Sequence, residues 1–283
     1  MKGRIVLAIV VLVAVVAVAC KNLDTGAGSR AGVPAAKDLP SSMVALGDSI
    51  TAGFGTCLNL SPCPRNSWAT GDGSLVNSHY KRILSGNPAM RGHATNLSTG
   101  GATVEDLPGQ AAAAVGHRPD YVAILIGAND VCRARIGDMT STAQFETQVG
   151  VALNTVKAGI PKTRVLVVSL PDIYRVWEVA HNRRSAQLAW AQGACPTLLA
   201  NPTSTAPPDV QRRQAFRDRI DAYNKILAKA CQDYGPRCRY DGGAVHKATF
   251  GLDELSPVDY FHPNAFGETR LAEVSWPGSF TWG

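Results

Sequence analysis

The sequence is poor in metal-binding patterns, with neither an H-E-x-x-H pair nor a C-x-x-C pair. A metalloprotease helix and a zinc-ribbon site are therefore not encoded, and neither a metal nor another cofactor is implied. Basic runs interleaved with aromatics are missing too. The formal charge of +6 falls to +4 once Lys2 and Arg4 are set aside. That is no footprint for nucleic acid, and only a weak pull toward anionic surfaces. There is no internal repeat, so stacked repeat architectures are excluded. Gly26, Gly28 and Ala31 make a G-x-G-x-x-A pattern, but no strand precedes it, so it is not read as a nucleotide loop.

The amino end indicates the compartment. Lys2 and Arg4 precede an unbroken apolar segment, Ile5 to Ala19, which ends in Ala17-Val18-Ala19-Cys20. A charged n-region, an h-region and a small-residue cleavage site in this order make residues 1–19 an expected signal peptide. As a helix this segment would span roughly 22 Å, short of the ~30 Å hydrocarbon core, which weighs against an uncleaved anchor. Ala-Val-Ala before Cys20 suits an ordinary signal peptidase and also resembles a bacterial lipobox, although Leu is usual where Ala17 stands. Removing Cys20 from the seven cysteines leaves six: Cys57, Cys63, Cys132, Cys195, Cys231 and Cys238. Six suit three disulfides in an oxidising compartment, and lipidation would account for Cys20. The expectation is export to the cell surface with a lipid anchor on Cys20, which makes the membrane a partner. A freely secreted product is the alternative. Residues 20–40 read as a flexible tether of small, polar and Pro residues, and residues 41–283 as one α/β domain.

Within that domain, apolar runs alternate with helical stretches. Strands are expected at Met43–Leu46, Ala94–Leu97, Tyr121–Ile126, Arg164–Leu170 and Arg237–Tyr240. Helices are expected at about Trp68–Leu84, Val104–Val115, Ala143–Ala158, Asp209–Asp233 and Ala265–Val274. This alternation predicts a parallel sheet with helices on both faces. Pro171 to Pro208 breaks the rhythm. It reads as a long loop over a small satellite core holding Trp177, Trp190, Leu198 and Leu199, or as a wall over a binding groove.

Four short stretches carry candidate chemistry, each with a bland alternative. In "VALGDS" the apolar run stops at Gly47, and Asp48-Ser49 falls where a strand would end, as a nucleophile or merely a turn and helix cap. "NLSTGGAT" brings Gly100-Gly101 after a short strand, an anion site or a βα turn. In "AILIGAND", Asn129 could donate to an oxyanion or simply turn the chain. "VDYFHPN" sets Asp259 three residues before His262, as an oriented base. The other histidines, His79, His93, His117, His181 and His246, are read as surface or structural. No G-x-S-x-G surrounds Ser49, because Thr51 stands where the last glycine would be. That argues against a nucleophile elbow of the α/β-hydrolase kind.

All four stretches in this order closely resemble the SGNH, or GDSL-type, hydrolases, from about Met43 to Pro263. The resemblance implies a three-layer α/β/α sandwich around a five-stranded parallel sheet in flavodoxin-like order. Carried over by motif, it makes Ser49 the nucleophile, His262 the general base and Asp259 its orienting partner. Ser49 and Gly101 backbone N–H groups and the Asn129 amide become the oxyanion donors. Gly100 is the competing choice for the glycine. Secreted actinobacterial members look similar and pair six cysteines in sequential order, which would give Cys57–Cys63, Cys132–Cys195 and Cys231–Cys238. The implied function is a monomeric, secreted or surface-tethered carboxylic ester hydrolase of lipase or esterase type, acting on a lipid, a small acyl ester or an acetylated glycan. A carbohydrate O-acetyl esterase is the first alternative, and a non-catalytic surface lipoprotein the second.

Overall fold

The structure is a computed structural model that describes residues 38–283. The expected signal peptide, Cys20 and all but the last residues of the tether lie outside the described residues. Five strands form one parallel sheet: β1 Met43–Gly47, β2 Ala94–Asn96, β3 Tyr121–Leu125, β4 Arg164–Val167 and β5 Cys238–Tyr240. Their order is β2-β1-β3-β4-β5, the flavodoxin-like order, and helices flank the sheet. Both central strands, β1 and β3, are buried along their whole length, which explains why they read as continuous apolar runs without alternation.

The longer helices are α1 His79–Gly86, α2 Leu107–His117, α3 Thr142–Gly159, α4 Tyr174–Ala180, α5 Arg184–Trp190, α6 Pro207–Tyr234 and α7 Ala265–Val274. Helix α3 packs between α2 and α6. Helices α1 and α7 are joined by the buried His79, whose Nε2 lies 3.1 Å from the Ala272 carbonyl and 3.0 Å from Ser275 Oγ. His79 thus has the structural role expected of it. Burial pushes its imidazole down to about 3, so it is neutral in the folded protein.

Three boundaries lie three or more residues from the sequence expectation, one of them the start of α2 at Leu107 instead of Val104. The first expected helix does not begin at Trp68: residues 68–78 form turns, and α1 starts at His79, with Ser78 as N-cap accepting from the Lys81 N–H. A Cβ at Gly71 would fall 2.5 Å from the Ser67 carbonyl oxygen, and one at Gly73 would fall 2.7 Å from that of Arg65. The backbone here is folded back on itself too tightly for a helix. Strand β4 ends at Val167 instead of Leu170. Leu170 leaves the ladder because the Asn224 side chain takes over both of its backbone groups, accepting at 2.8 Å and donating at 3.1 Å.

The Pro171–Pro208 segment holds α4, α5 and a helical turn at Pro196–Leu199. Val176, Ala180, Ala186, Trp190, Leu198 and Leu199 are buried and merge with the main core. Disulfides join Cys57 to Cys63, Cys132 to Cys195 and Cys231 to Cys238, the sequential pairing that the family resemblance implies. The second fastens this long segment to the stretch just after β3.

Candidate active site

The site is built at the carboxyl edge of the sheet, where a parallel fold collects its ligands. β1 delivers the first group. Gly47, with φ of +150°, closes the strand so tightly that a Cβ would fall 2.2 Å from the Leu125 carbonyl oxygen. The Gln110 side chain clamps Gly47 from both sides, accepting its N–H at 2.7 Å and donating to its carbonyl at 2.9 Å. The chain then coils, with the Asp48 carboxylate accepting the Ile50 N–H at 3.0 Å. This sets Ser49 at the mouth of a cleft.

The loop before α7 supplies the second and third groups. Asp259 Oδ1 accepts from the backbone N–H groups of Phe261 and His262, at 2.9 and 3.1 Å. Its Oδ2 lies 2.6 Å from His262 Nδ1. The far nitrogen, His262 Nε2, lies 2.9 Å from Ser49 Oγ. Three residue types separated by up to 213 positions thus form one relay. Burial opposes ionisation of Asp259. The His262 imidazole and the two backbone donors outweigh it and hold its carboxyl below the ordinary value.

The loop geometry is held by force of packing. Tyr260 has φ of +53°, an unusual conformation for a bulky residue. Its N–H donates to the Ser256 carbonyl at 2.8 Å, and its own carbonyl accepts from Trp190 Nε1 at 3.2 Å. Trp190 therefore braces the Asp259–His262 loop from the long segment. On another side the Phe54 ring packs on the His262 imidazole, with ring centroids 4.7 Å apart.

The remaining expected residues come from the turns after β2 and β3. Asn129 lines the same cleft as Ser49 and His262, and its Nδ2 donates to the Ala102 carbonyl at 2.9 Å. One amide hydrogen is so committed, and the other is left for a ligand. Gly101, with φ of +81°, precedes Ala102 in an exposed turn and does not line the cleft. A side chain would be strained there. The turn still borders the site, because a Cβ on Gly100 would lie 3.9 Å from Phe54. Among the described residues the Ser49 and Gly101 backbone N–H groups have no protein acceptor.

Asp130, beside Asn129, was not singled out in the sequence, yet it shapes this turn. Its carboxylate accepts from the Val104 N–H at 2.9 Å and the Thr140 hydroxyl at 2.7 Å, tying the chain after Gly101 to the chain after β3. Burial nonetheless raises its pKa above the ordinary value. An Asp following Asn in "GAND" was the available signal for it.

The cleft is lined mainly by apolar side chains, Ile50, Ile173, Val176, Phe250, Phe261 and Leu271 prominent among them. The long segment therefore forms a wall of the site, and its buried side chains belong to the main core instead of the separate satellite core expected from the sequence. Trp177 and Trp190 take no part in the lining. Their indole N–H groups are bonded to the Pro202 and Tyr260 carbonyls. Among the described residues no three His, Cys, Asp or Glu side chains cluster in a way that could hold a metal ion.

A nearly buried hydroxyl on a histidine–carboxylate pair, at the sheet edge of a doubly wound fold, defines a hydrolase-type site. The chain matches the GDSL-like Lipase/Acylhydrolase family over residues 45–270 and belongs to that family. No curated protein sequence matches it. Among solved structures it is similar to a protein from Parabacteroides merdae designated a GDSL-like lipase. That match has 19% identity and a TM-score of 0.50, covering 86% of this chain and 96% of the other. It is also similar to the lipase Lip_vut3 from a goat rumen metagenome, with 14% identity, a TM-score of 0.50, and coverage of 82% and 94%. At these identities the likeness speaks to the fold.

Proposed function

We propose that this protein is a serine carboxylic ester hydrolase of lipase or esterase type, selective for esters with an apolar acyl group. The observation that carries the reading is the continuous relay Ser49 Oγ, His262 Nε2, His262 Nδ1, Asp259 Oδ2, at 2.9 and 2.6 Å, opening onto an apolar cleft. Asp259 accepts the Nδ1 hydrogen, which leaves Nε2 free to accept the Ser49 proton. Ser49 Oγ attacks the ester carbonyl carbon, and the C=O π bond opens to an oxyanion. The Ser49 N–H and the free amide hydrogen of Asn129 stabilise that charge, and the Gly101 N–H, which has no protein acceptor among the described residues, is the third donor that the family resemblance implies. As the tetrahedral intermediate collapses, the C–O bond to the alcohol breaks and His262 returns its proton to the alcohol oxygen. Water then attacks the acyl-Ser49 carbonyl, giving a proton to His262. The acyl C–Oγ bond then breaks, His262 returns that proton to Ser49 Oγ, and the carboxylic acid leaves. All these groups come from one chain, so a monomer suffices.

The cleft also argues about substrate. A wall of Ile, Val, Phe and Leu side chains gains from each methylene it buries, about 0.8 kcal/mol, or roughly fourfold in kcat/KM. A sugar-stacking platform would need exposed aromatic faces in the cleft, and neither Trp177 nor Trp190 lines it. Acyl chains are therefore favoured over acetylated glycans. Export by residues 1–19 and a lipid anchor on Cys20 belong to the same reading, supported by the three disulfides.

The test is hydrolysis of p-nitrophenyl esters from acetate to palmitate, by the wild type and by Ser49→Ala. The expected result is kcat/KM rising with chain length through the shorter acyl groups, and loss of activity in the variant. Activity on acetate alone would redirect the substrate to acetylated glycans. Equal inertness of both proteins on all these esters would refute the hydrolase reading.

A further inference from the structure

Two carboxyl groups that the mechanism leaves unused lie fully buried behind Ser49: Asp48 and Glu268. Glu268 sits in the first turns of α7, six residues after His262. Its Oε2 accepts the Trp68 backbone N–H at 2.6 Å, across 200 residues of sequence. The Trp68 indole N–H in turn donates to Thr51 Oγ1 at 3.2 Å. Thr51 lies two residues past Ser49, and its carbonyl is held from the other side by Asn96 Nδ2 at 2.8 Å. Glu268, Trp68 and Thr51 are all fully buried. They make a buried brace between the turn that carries Ser49 and the helix that follows His262.

The far end of the brace is anchored on the cleft wall. Asn264 caps α7 by accepting the Phe266 and Gly267 N–H groups. Its amide donates to the carbonyls of Asp253 and Leu255. Gly267 packs so closely here that a Cβ would fall 2.4 Å from the Glu254 carbonyl oxygen. Helix α7 therefore cannot slide relative to the His262 loop without breaking several contacts at once. What remains to be set is the position of α7 relative to Ser49, and Glu268 makes that connection.

We propose that Glu268 is a positioning residue that sets the Ser49–His262 distance by fastening Trp68, and through it the Ser49 turn, to α7. The inference rests on the reading of Ser49 and His262 as the reacting pair. Glu268 serves as a neutral carboxylic acid, because burial, with the Asp48 carboxyl adding to it, holds its pKa well above the ordinary value. Its Oε1 is buried with no hydrogen-bond partner among the described residues, which suits a protonated group better than a carboxylate. Only the acceptor function toward the Trp68 N–H is needed, so glutamine should replace it.

The test measures kcat and KM on the p-nitrophenyl ester that the wild type prefers, from pH 6 to pH 9, in the full chain. Glu268→Gln is expected to keep kcat within about twofold and to superimpose on the wild-type pH profile. Glu268→Ala is expected to lose about tenfold to a hundredfold in kcat with KM little changed, since displacing a reacting group by about 1 Å can cost that much. Trp68→Phe keeps the backbone N–H that Glu268 accepts but removes the indole donor to Thr51 together with part of the ring volume, and should lower kcat by an intermediate factor. A folded Glu268→Ala with wild-type kcat overturns the proposal, as does a Gln variant as impaired as Ala. Should Glu268→Ala not fold, an unchanged kcat in Trp68→Phe overturns it instead. Ser49→Ala, run alongside, separates the two levels. If it retains activity the reacting pair is misassigned, whereas an inert Ser49→Ala beside a fully active Glu268→Ala refutes the positioning role alone.

Discussion

Replacing Asp48 by Asn should make the protein's stability less dependent on pH, by an amount that the burial of this side chain sets. Burial pushes the Asp48 carboxyl up from 3.8 to about 6, against the pull of the Ile50 N–H and His262. Between those two values the folded state holds a proton that the unfolded chain has released. Stability attributable to Asp48 therefore falls as pH rises through that window, and levels off above about 6. At 1.36 kcal/mol per pH unit, the wild type loses about 2 to 3 kcal/mol through this group between pH 4 and pH 8. Asn cannot ionise, and its Oδ1 can still accept the Ile50 N–H. Its extra N–H₂ adds a packing and desolvation penalty of about 1–3 kcal/mol, but that penalty is the same at both pH values. The quantity to measure is the difference in urea unfolding free energy, variant minus wild type, at pH 4 and again at pH 8. It should become more favourable to the variant by about 2 to 3 kcal/mol on going to pH 8. Parallel pH profiles for the two proteins would refute the argument that burial raises the Asp48 pKa.

The other predictions concern the site and its supports. Asn129→Ala should lower kcat by about 10²–10³ with a small change in KM, read from steady-state hydrolysis of a chromogenic ester. Replacing Cys132 and Cys195 together by Ser should remove about 4 kcal/mol from the urea unfolding free energy, since the bridge closes a loop of 63 residues. The same double variant should lose activity before it unfolds globally, because Cys132 lies three residues past Asn129. His79 works opposite to Asp48. Its folded value of about 3 lies below the ordinary 6.5, so its contribution is fully present above pH 6.5 and is lost as pH falls toward 3. His79→Gln should accordingly narrow the loss of stability between pH 6.5 and pH 4 in the same unfolding assay.

Legibility from sequence followed the range of the interaction. The strands of the central sheet could be read because burial on both faces leaves unbroken apolar runs, as in Tyr121–Leu125. Asp259 and His262 could be read because one short loop carries both and orients them through its own backbone. The false helix start at Trp68 passed over a turn signal that the sequence does carry, Gly71-Asp72-Gly73, whose backbone folds against the Arg65 and Ser67 carbonyls. Gln110, which clamps the strand end before Ser49 from 63 residues away, has no local signature at all. Glu268 is harder still, because an acidic residue near a helix start reads as a solvated cap, whereas this one faces Trp68 in the interior.

What ties these cases together is where the fold keeps its polar groups. Asp48, Glu268 and Asp130 are all acids in or near the core, and burial raises each above its ordinary value. A domain selected for stability alone would replace them by apolar residues of similar size, which is often neutral or favourable by a few kcal/mol. Each instead holds backbone around Ser49 or the neighbouring turns: the Ile50 N–H, the Trp68 N–H and the Val104 N–H. Apolar packing alone would let these turns settle wherever volume permits, while a carboxyl oxygen specifies one hydrogen-bonded position. The proposed reacting groups need that specification, because a relay of 2.9 and 2.6 Å contacts tolerates little displacement. Asp259 is the exception that completes the pattern. It alone among the acids of the site is held below its ordinary value, and it alone faces the histidine that becomes cationic in the proposed mechanism.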